Sequence, residues 1–210
     1  MRKDDEHNHV IEGRIRRQDC GQMTDGGAVV FLASKRYALR YAKRQGVPFE
    51  SIPWIKGWGH KTAPMLLEEK VKQSANERYV FPHVRESIED MFRRAGMTGV
   101  NEVDVIETHD CFSITEYMAI DHFGITEPGE AWKAIESGEI EFNGSIPINP
   151  SGGLIGSGHP VGATGVRMML DAYKQVTGKA GGYQVEGAKN VATLNLGGST
   201  TTTVCFVVGI

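Results

Sequence analysis

The stretch that decides the fold runs from Asn149 to Gly165, with the sequence Asn-Pro-Ser-Gly-Gly-Leu-Ile-Gly-Ser-Gly-His-Pro-Val-Gly-Ala-Thr-Gly. Six glycines surround a single histidine, His159. Glycine loses more conformational freedom on folding than any other residue, so it is kept where the backbone must approach something closely. The next residues, Val166 to Tyr173, have the spacing of an amphipathic helix, with Pro160 near its first turn. The sequence therefore predicts a close-approach loop that places His159 at the start of a helix.

His159 has two interpretations. Its ring packs inside a glycine turn, or its imidazole N–H stabilises a developing oxyanion, for which the glycines leave room. A dinucleotide-binding loop is a third interpretation of the same glycines. It is disfavoured because no acidic ribose partner follows at the required distance in a βαβ unit.

A second informative segment follows a strand predicted around Val105 and Ile106. It reads Glu-Thr-His-Asp-Cys-Phe and contains His109 and Cys111. A capping box at Ser113–Glu116 then predicts a helix. Ligands gather where strands end in open α/β sheets, and a helix amino terminus favours a thiolate over a thiol. Cys111 is thus either a reactive thiol or a small buried hydrophobic residue.

A metal site is the remaining interpretation of these residues. His109, Cys111 and His159 would supply three ligands, but their spacing is not a zinc pattern and no Cys-x-x-Cys pair supports it. We expect no metal.

The other segments predict strands and helices in alternation. Together they indicate an α/β fold with a mixed β-sheet flanked by helices. The predicted elements are a strand at Gly27–Ala33, a helix from Ser34 to Gln45 ended by Gly46, a strand at Ile52–Trp58, a helix through Val84 and Ala95 ended by Gly96, and a terminal β-hairpin in which Gly197-Gly198 joins Asn190–Leu196 to Thr201–Val208.

Composition excludes several classes of function. The chain has 210 residues, 40% of them hydrophobic, and a net charge of -3, so it can bury a core and nucleic acid is not an expected partner. No apolar run approaches the ~20 residues of a membrane span, and the polar leader Met1–His7 is not a signal peptide. Three widely spaced cysteines, Cys20, Cys111 and Cys205, indicate a reduced, cytoplasmic location.

Taken together, these motifs resemble the carboxyl-terminal half of thiolases. The stretch from Asn149 to Gly165 is similar to the family's Gly-His-Pro block, and His109–Phe112 is similar to the His-Asp-Cys-Phe motif of thiolases related to sterol carrier protein X. Asp25–Val30 is similar to the segment that ends the amino-terminal domain. The resemblance implies a thiolase-like layered fold. Residues 1–46 would be a remnant of the loop region and amino-terminal domain, and residues 47–210 the carboxyl-terminal domain.

The resemblance also implies an activity, that of an acyl-CoA C-acyltransferase acting on carbon–carbon bonds between acyl-CoA thioesters. Coenzyme A would be substrate or product, with no other cofactor. By motif, His159 and His109 bind the thioester oxygen and Cys111 is the acid–base thiol. Asn195 stands where other thiolases carry that thiol. Gly197 would donate its backbone N–H to the oxyanion, while Ser151, Gly152 and Gly158 would approach the substrate.

The nucleophilic cysteine of thiolases has no counterpart here, since Cys20 matches no nucleophile motif. We therefore expect the chain to be inactive alone. We also expect it to associate with a missing amino-terminal half or with a second copy, because a lone half exposes apolar helix faces. The exposed set would include Val166, Met169, Leu170 and Tyr173. Two alternatives remain: a non-catalytic CoA-binding or scaffold remnant, and a retro-aldol lyase subunit that works with a small CoA-binding partner protein.

Overall fold

The centre of the molecule is a four-stranded mixed sheet. The computed structural model describes residues 6–210, so the first five residues of the polar leader lie outside the described residues. The strands are β3 (Trp54–Thr62), β4 (Val105–Thr108), β5 (Asn190–Gly197) and β6 (Thr202–Gly209), and their spatial order is β3-β6-β5-β4. Strand β4 runs parallel to β5, and the other two pairs are antiparallel. The predicted α/β fold with a mixed sheet is confirmed.

Helices cover both faces of this sheet. The two helix ends predicted at Gly46 and Gly96 are confirmed, since both glycines are left-handed, with φ of 67° and 71°. A short amino-terminal hairpin precedes the sheet. The helices are α1 (Lys35–Gln45), α2 (Leu67–Gln73), α3 (Pro82–Ala95), α4 (Ser113–Phe123), α5 (Ala131–Glu136), α6 (Gly153–Ser157) and α7 (Thr164–Val176), and the hairpin is β1 (Val10–Glu12) with β2 (Ile15–Arg16).

Two hydrophobic cores lie on opposite faces of the sheet. The larger one joins the sheet to α3, α4 and α5 through side chains such as Ile88, Ile106 and Phe123. The smaller one joins β4 and β5 to α7 through Val105, Val191 and neighbouring alanines and valines. The alternation of Val105 and Ile106 follows from the two-residue period of a strand, which sends consecutive side chains to opposite faces.

Two glycines of β3 allow α3 to pack directly on the backbone of the strand. A Cβ at Gly57 would lie 2.1 Å from the carbonyl oxygen of Met91, and one at Gly59 would lie 1.8 Å from that of Ser87. No side chain fits in this space, so the close approach of α3 and β3 depends on glycine at both positions.

The strand predicted at Gly27–Ala33 is wrong, because these residues form no regular element. Val29, Phe31 and Leu32 are 69%, 96% and 75% exposed. A strand requires a neighbour for its backbone hydrogen bonds, and none of the described strands pairs with this segment. By contrast, the strand predicted at Ile52–Trp58 extends four residues further, to Thr62, because β6 pairs with it along that length.

The predicted capping box at Ser113–Glu116 is also wrong. The residue at the cap of α4 is Phe112, which makes no side-chain cap. The carboxylate of Glu116 instead accepts a hydrogen bond from Nδ2 of Asn149 at 2.8 Å. Tertiary contact with the glycine-rich stretch therefore takes the side chain that local sequence assigns to the helix terminus.

The predicted hairpin between β5 and β6 is present with a different turn. Gly197 is the last residue of β5 and pairs with Thr202, so the turn spans the four residues Gly198 to Thr201 rather than the Gly197-Gly198 pair. Among the helices of residues 6–210, none is both long and apolar enough to cross a membrane.

Candidate active site

The parallel pair β4–β5 brings two of the candidate residues to one edge of the sheet. His109 follows β4 directly, and its backbone N–H donates to the carbonyl of Leu194 at 3.0 Å. Asn195 is the next residue on β5, and its side chain lies 3.4 Å from where a Cβ of Gly165 would be. This point is therefore where the carboxyl ends of β4 and β5 meet the start of α7.

His159 joins them from the glycine-rich loop. Its ring lies edge-on to that of His109, with the ring centroids 4.9 Å apart and the planes at 89°. Nδ1 of His159 is 2.7 Å from Oγ1 of Thr164, and that hydroxyl donates to the carbonyl of Pro160 at 3.1 Å. Since the hydroxyl has one proton, Nδ1 carries the proton of the bond to Thr164. Nε2 is thereby left as an acceptor, which suits a base.

Both imidazoles are held in the neutral form. Burial lowers the pKa of His109 to about 4, and neighbouring His159 acts in the same direction, while the side chain of Asn195 opposes them. Burial also lowers the pKa of His159, with a further contribution from the Arg167 guanidinium. Nδ1 of His109 is buried and has no hydrogen-bond partner among residues 6–210. A buried ring nitrogen without a partner is costly.

Cys111 lies two residues before α4 and is half-buried. Burial raises the pKa of its thiol, although the hydroxyl of Thr115 and the backbone of Phe112 pull the pKa down. The expectation that the helix terminus favours a thiolate is therefore wrong for this environment, because desolvation outweighs the helix. The thiol is neutral and is suited to giving up a proton only to a base.

The glycine-rich loop is held by two charged residues. Arg167 donates from Nη1 to the carbonyl of Gly158 at 3.0 Å and from Nη2 to that of Gly153 at 2.8 Å, so it spans both ends of α6. Asp110 accepts from the backbone N–H of Leu154 at 2.6 Å. The sequence interpretation missed Arg167; its only signal was a cation in the first turn of a helix that otherwise begins with small residues.

The residues predicted to approach substrate differ in exposure and in hydrogen bonding. The hydroxyl of Ser151 donates to the buried carboxylate of Glu107 at 2.6 Å, so this donor is already engaged. Gly152 is exposed with φ of 94°, and Gly158 is half-buried with φ of 85°. Gly197 is exposed at the end of β5.

A segment of the amino-terminal region passes through the site, which sequence reasoning also missed. Gly21 donates its N–H to the carbonyl of Cys111 at 2.7 Å, and the carbonyl of Gln22 accepts from the N–H of His159 at 2.8 Å. The segment thus ties both motifs together. Just beyond it, residues 24–28 line an open groove of about 420 Å³ together with residues 160–163 and Val166. No metal-binding group of histidine, cysteine or carboxylate side chains occurs among residues 6–210.

Residues 67–210 match the family described as Thiolase C-terminal domain-like. The chain belongs to this family. An acetyl-CoA acetyltransferase from Methanothermobacter thermautotrophicus is 32% identical to it over 190 residues, which is 90% of this chain and 46% of that protein. Human sterol carrier protein 2 is 34% identical over 178 residues, which is 85% of this chain and 31% of that protein. This thiolase-like chain therefore spans less than half the length of these relatives.

Solved structures show the same fold at low identity. An Ltp2-ChsH2(DUF35) aldolase superimposes with a TM-score of 0.73 and 18% identity, covering 96% of this chain and 49% of that one. A monomeric SCP2-thiolase-like protein type 1 from Mycobacterium smegmatis gives 0.63 and 15%, covering 99% and 38%. The predicted resemblance to thiolases, including those related to sterol carrier proteins, is confirmed.

Proposed function

We propose that this thiolase-like chain supplies the acid–base and oxyanion-binding part of an acyl-CoA C-acyltransferase site. The observation that carries the proposal is the convergence of two neutral imidazoles, His109 and His159, at the carboxyl end of β4 and β5. Cys111 follows two residues after His109, and Asn195 occupies the adjacent strand. The thiolase family membership gives this arrangement its chemical context.

The reaction requires an enolate beside a thioester carbonyl. Its formation needs a base within hydrogen-bond reach of the α-carbon proton and donors aimed at the oxygen. In the proposal, Cys111 moves that proton, and its raised pKa keeps the thiol protonated until a base accepts the proton. Nε2 of His159, left unprotonated because Nδ1 carries the proton of the bond to Thr164, is the base proposed to accept it.

The oxygen of the thioester is assigned to His109 and to backbone groups. The buried Nδ1 of His109 lacks a partner among the described residues, so a ligand that approaches this ring relieves an unsatisfied group. The backbone N–H of Gly197, an exposed residue at the end of β5, is the second donor of the proposal, and Asn195 lies beside His109. One donor of this kind lowers the barrier by about 3–4 kcal/mol.

The substrates proposed are acyl-CoA and coenzyme A, with no other cofactor. The groove beside residues 24–28 and the exposed backbone of Gly152 and Gly158 offer room for the pantetheine arm. Ser151 shapes this surface without offering a free donor, because its hydroxyl and its backbone N–H both donate to Glu107.

The nucleophilic cysteine is proposed to come from a complementary thiolase half, either elsewhere on a longer protein or on a separate subunit. The exposed side chains of Val29, Phe31 and Leu32 are consistent with a surface that such a half would cover.

The test uses acetoacetyl-CoA and coenzyme A with the 210-residue chain alone and mixed with a complementary half. We expect no thioester turnover alone and turnover in the mixture, lost by Cys111→Ser and kept by Cys20→Ser. Robust turnover by the isolated chain contradicts the proposal. Coenzyme A binding without turnover in any mixture indicates the scaffold alternative, and cleavage of a β-hydroxyacyl-CoA without added coenzyme A indicates the retro-aldol alternative.

A further inference from the structure

The loop between β5 and β6 has a backbone that is costly for its sequence. Gly198, Ser199 and Thr200 are all left-handed, with φ of 57°, 50° and 68°. The left-handed conformation costs roughly 1–2 kcal/mol for each residue other than glycine, and for a β-branched residue such as threonine it is an outlier. Such a conformation persists only where the surrounding structure holds it. It begins immediately after Gly197, at the edge of the candidate site.

Lys70 of α2 holds this loop. Its side chain is 2% exposed, and Nζ donates to the carbonyl of Ser199 at 2.5 Å, the carbonyl of Gly198 at 3.2 Å and Oγ1 of Thr201 at 2.9 Å. A fourth contact reaches the carbonyl of Met65 at 3.4 Å. Among the described residues, Lys70 forms no ion pair with a carboxylate. A buried ammonium is costly unless all its protons are used, and here three of its four acceptors belong to one loop.

His83 of α3 holds the same loop from a second side. Its Nε2 lies 2.9 Å from the carbonyl of Thr200 and 3.2 Å from the hydroxyl of the same residue. Thr200 is itself buried, whereas Gly197, Gly198 and Ser199 are exposed. The loop is therefore anchored to α2 through Lys70 and to α3 through His83. Its exposed residues, Gly198 and Ser199, continue the exposed surface of Gly197.

We propose that Lys70 is a positioning residue for the candidate site. By binding the carbonyls of Gly198 and Ser199 it keeps the loop left-handed, and so it fixes the direction in which the chain leaves Gly197. The identity of the bound ligand rests on the proposed function, but the control of the loop by Lys70 does not. The usual sequence signal for such a role is absent, because Lys70 lies far from every motif and only the fold brings it to the loop.

The test compares Lys70→Met with Lys72→Met, an exposed lysine on the same helix. Amide hydrogen exchange of residues 197–202 and the affinity for coenzyme A, measured by calorimetry, are followed in the full chain. Loss of hydrogen bonds from a charged donor is expected to speed exchange of these amides at least about tenfold and to weaken coenzyme A binding by a similar factor. Lys72→Met is expected to change neither.

A rescue variant separates positioning from general support of the fold. Ser199→Gly with Thr200→Gly, added to Lys70→Met, removes the left-handed penalty and is expected to recover much of the affinity. If Lys70→Met does not fold, Lys70→Gln, which keeps an amide donor, is measured in the same way. The proposal is overturned if residues 197–202 exchange at the same rate in Lys70→Met as in Lys72→Met. It is also overturned if exchange in Lys70→Met is faster evenly over α2, α3 and the sheet. If the unaltered chain binds no coenzyme A, the proposed function fails while the exchange data still decide the role of Lys70.

Discussion

Glu107 is fully buried on β4, and burial raises its pKa to about 7 against the opposing effect of the Ser151 hydroxyl. The unfolded chain releases this proton near the ordinary pKa of glutamate, so between that pKa and pH 7 the folded form binds more protons. The free energy of unfolding therefore falls as pH rises through this window. Glu116, whose pKa is also raised to about 7 by burial, acts in the same direction.

Glu107→Gln removes the charge but keeps the shape and an acceptor for Ser151. At about pH 8 we expect the variant to be more stable than the parent by about 1–3 kcal/mol, and at about pH 4 to differ little. Urea unfolding at both pH values measures this, with exposed Glu136→Gln as the control. An equal change in stability at the two pH values would show that burial does not raise the pKa of the Glu107 carboxyl.

Arg167 affects His159 by charge as well as by its bonds to the loop. Because the guanidinium lowers the pKa of His159, Arg167→Met is expected to raise it, while Arg167→Lys keeps the charge and loses the two-carbonyl contact. An NMR titration of the His159 ring reads this directly. A His159 pKa that is the same in the parent and in Arg167→Met would contradict the charge effect.

At the scale of elements, the contact between α3 and β3 rests on Gly57 and Gly59. Gly59→Ala would place a methyl group 1.8 Å from the carbonyl oxygen of Ser87, so the helix must move away from the strand. We expect a loss of about 1–3 kcal/mol or more in the free energy of unfolding. Gly182→Ala is the matched control because its Cβ would meet nothing within 4 Å. Thermal unfolding of the two variants gives the comparison, and equal midpoints would rule out tight packing at Gly59.

The elements that sequence patterns predicted well are those stabilised locally. The ends of α1 and α3 follow from glycines, which adopt the left-handed conformation at the lowest steric cost, and the hydrophobic spacing of Val84, Ile88 and Met91 marks the buried face of α3. Predictions failed where the local structure depends on a contact with a residue distant in the sequence. Residues 27–33 have a strand's apolar character but no neighbouring strand, and Glu116 leaves its predicted capping role to bind Asn149.

At the scale of the whole molecule, apolar side chains of the amino-terminal region face solvent. Phe31 is 96% exposed, and Tyr173 on α7 is 38% exposed, while Val166, Met169 and Leu170 are only partly exposed. We expect self-association of the isolated chain or association with a complementary half. Light scattering measures this, and Phe31→Glu is expected to reduce association more than Phe142→Glu, an exposed aromatic residue elsewhere. A monodisperse monomer of the unaltered chain would contradict the expectation.

The sequence alone determined the fold class, the family resemblance, the helix ends marked by glycine and the two motifs around His109 and His159. The fold class and the helix ends follow from local composition and periodicity, which act over a few residues, and the family resemblance rests on the similarity of the motifs themselves. Only the tertiary structure decided that the two imidazoles meet and that burial raises the pKa of the Cys111 thiol. It also decided that residues 20–24 tie the two motifs together and that Arg167 and Lys70 hold the loops. Burial and hydrogen bonding between distant segments set these properties, and such contacts leave no periodic trace in the sequence. In the glycine-rich stretch, the glycines predict from the sequence that other groups approach the backbone closely. The fold then determines which groups these are.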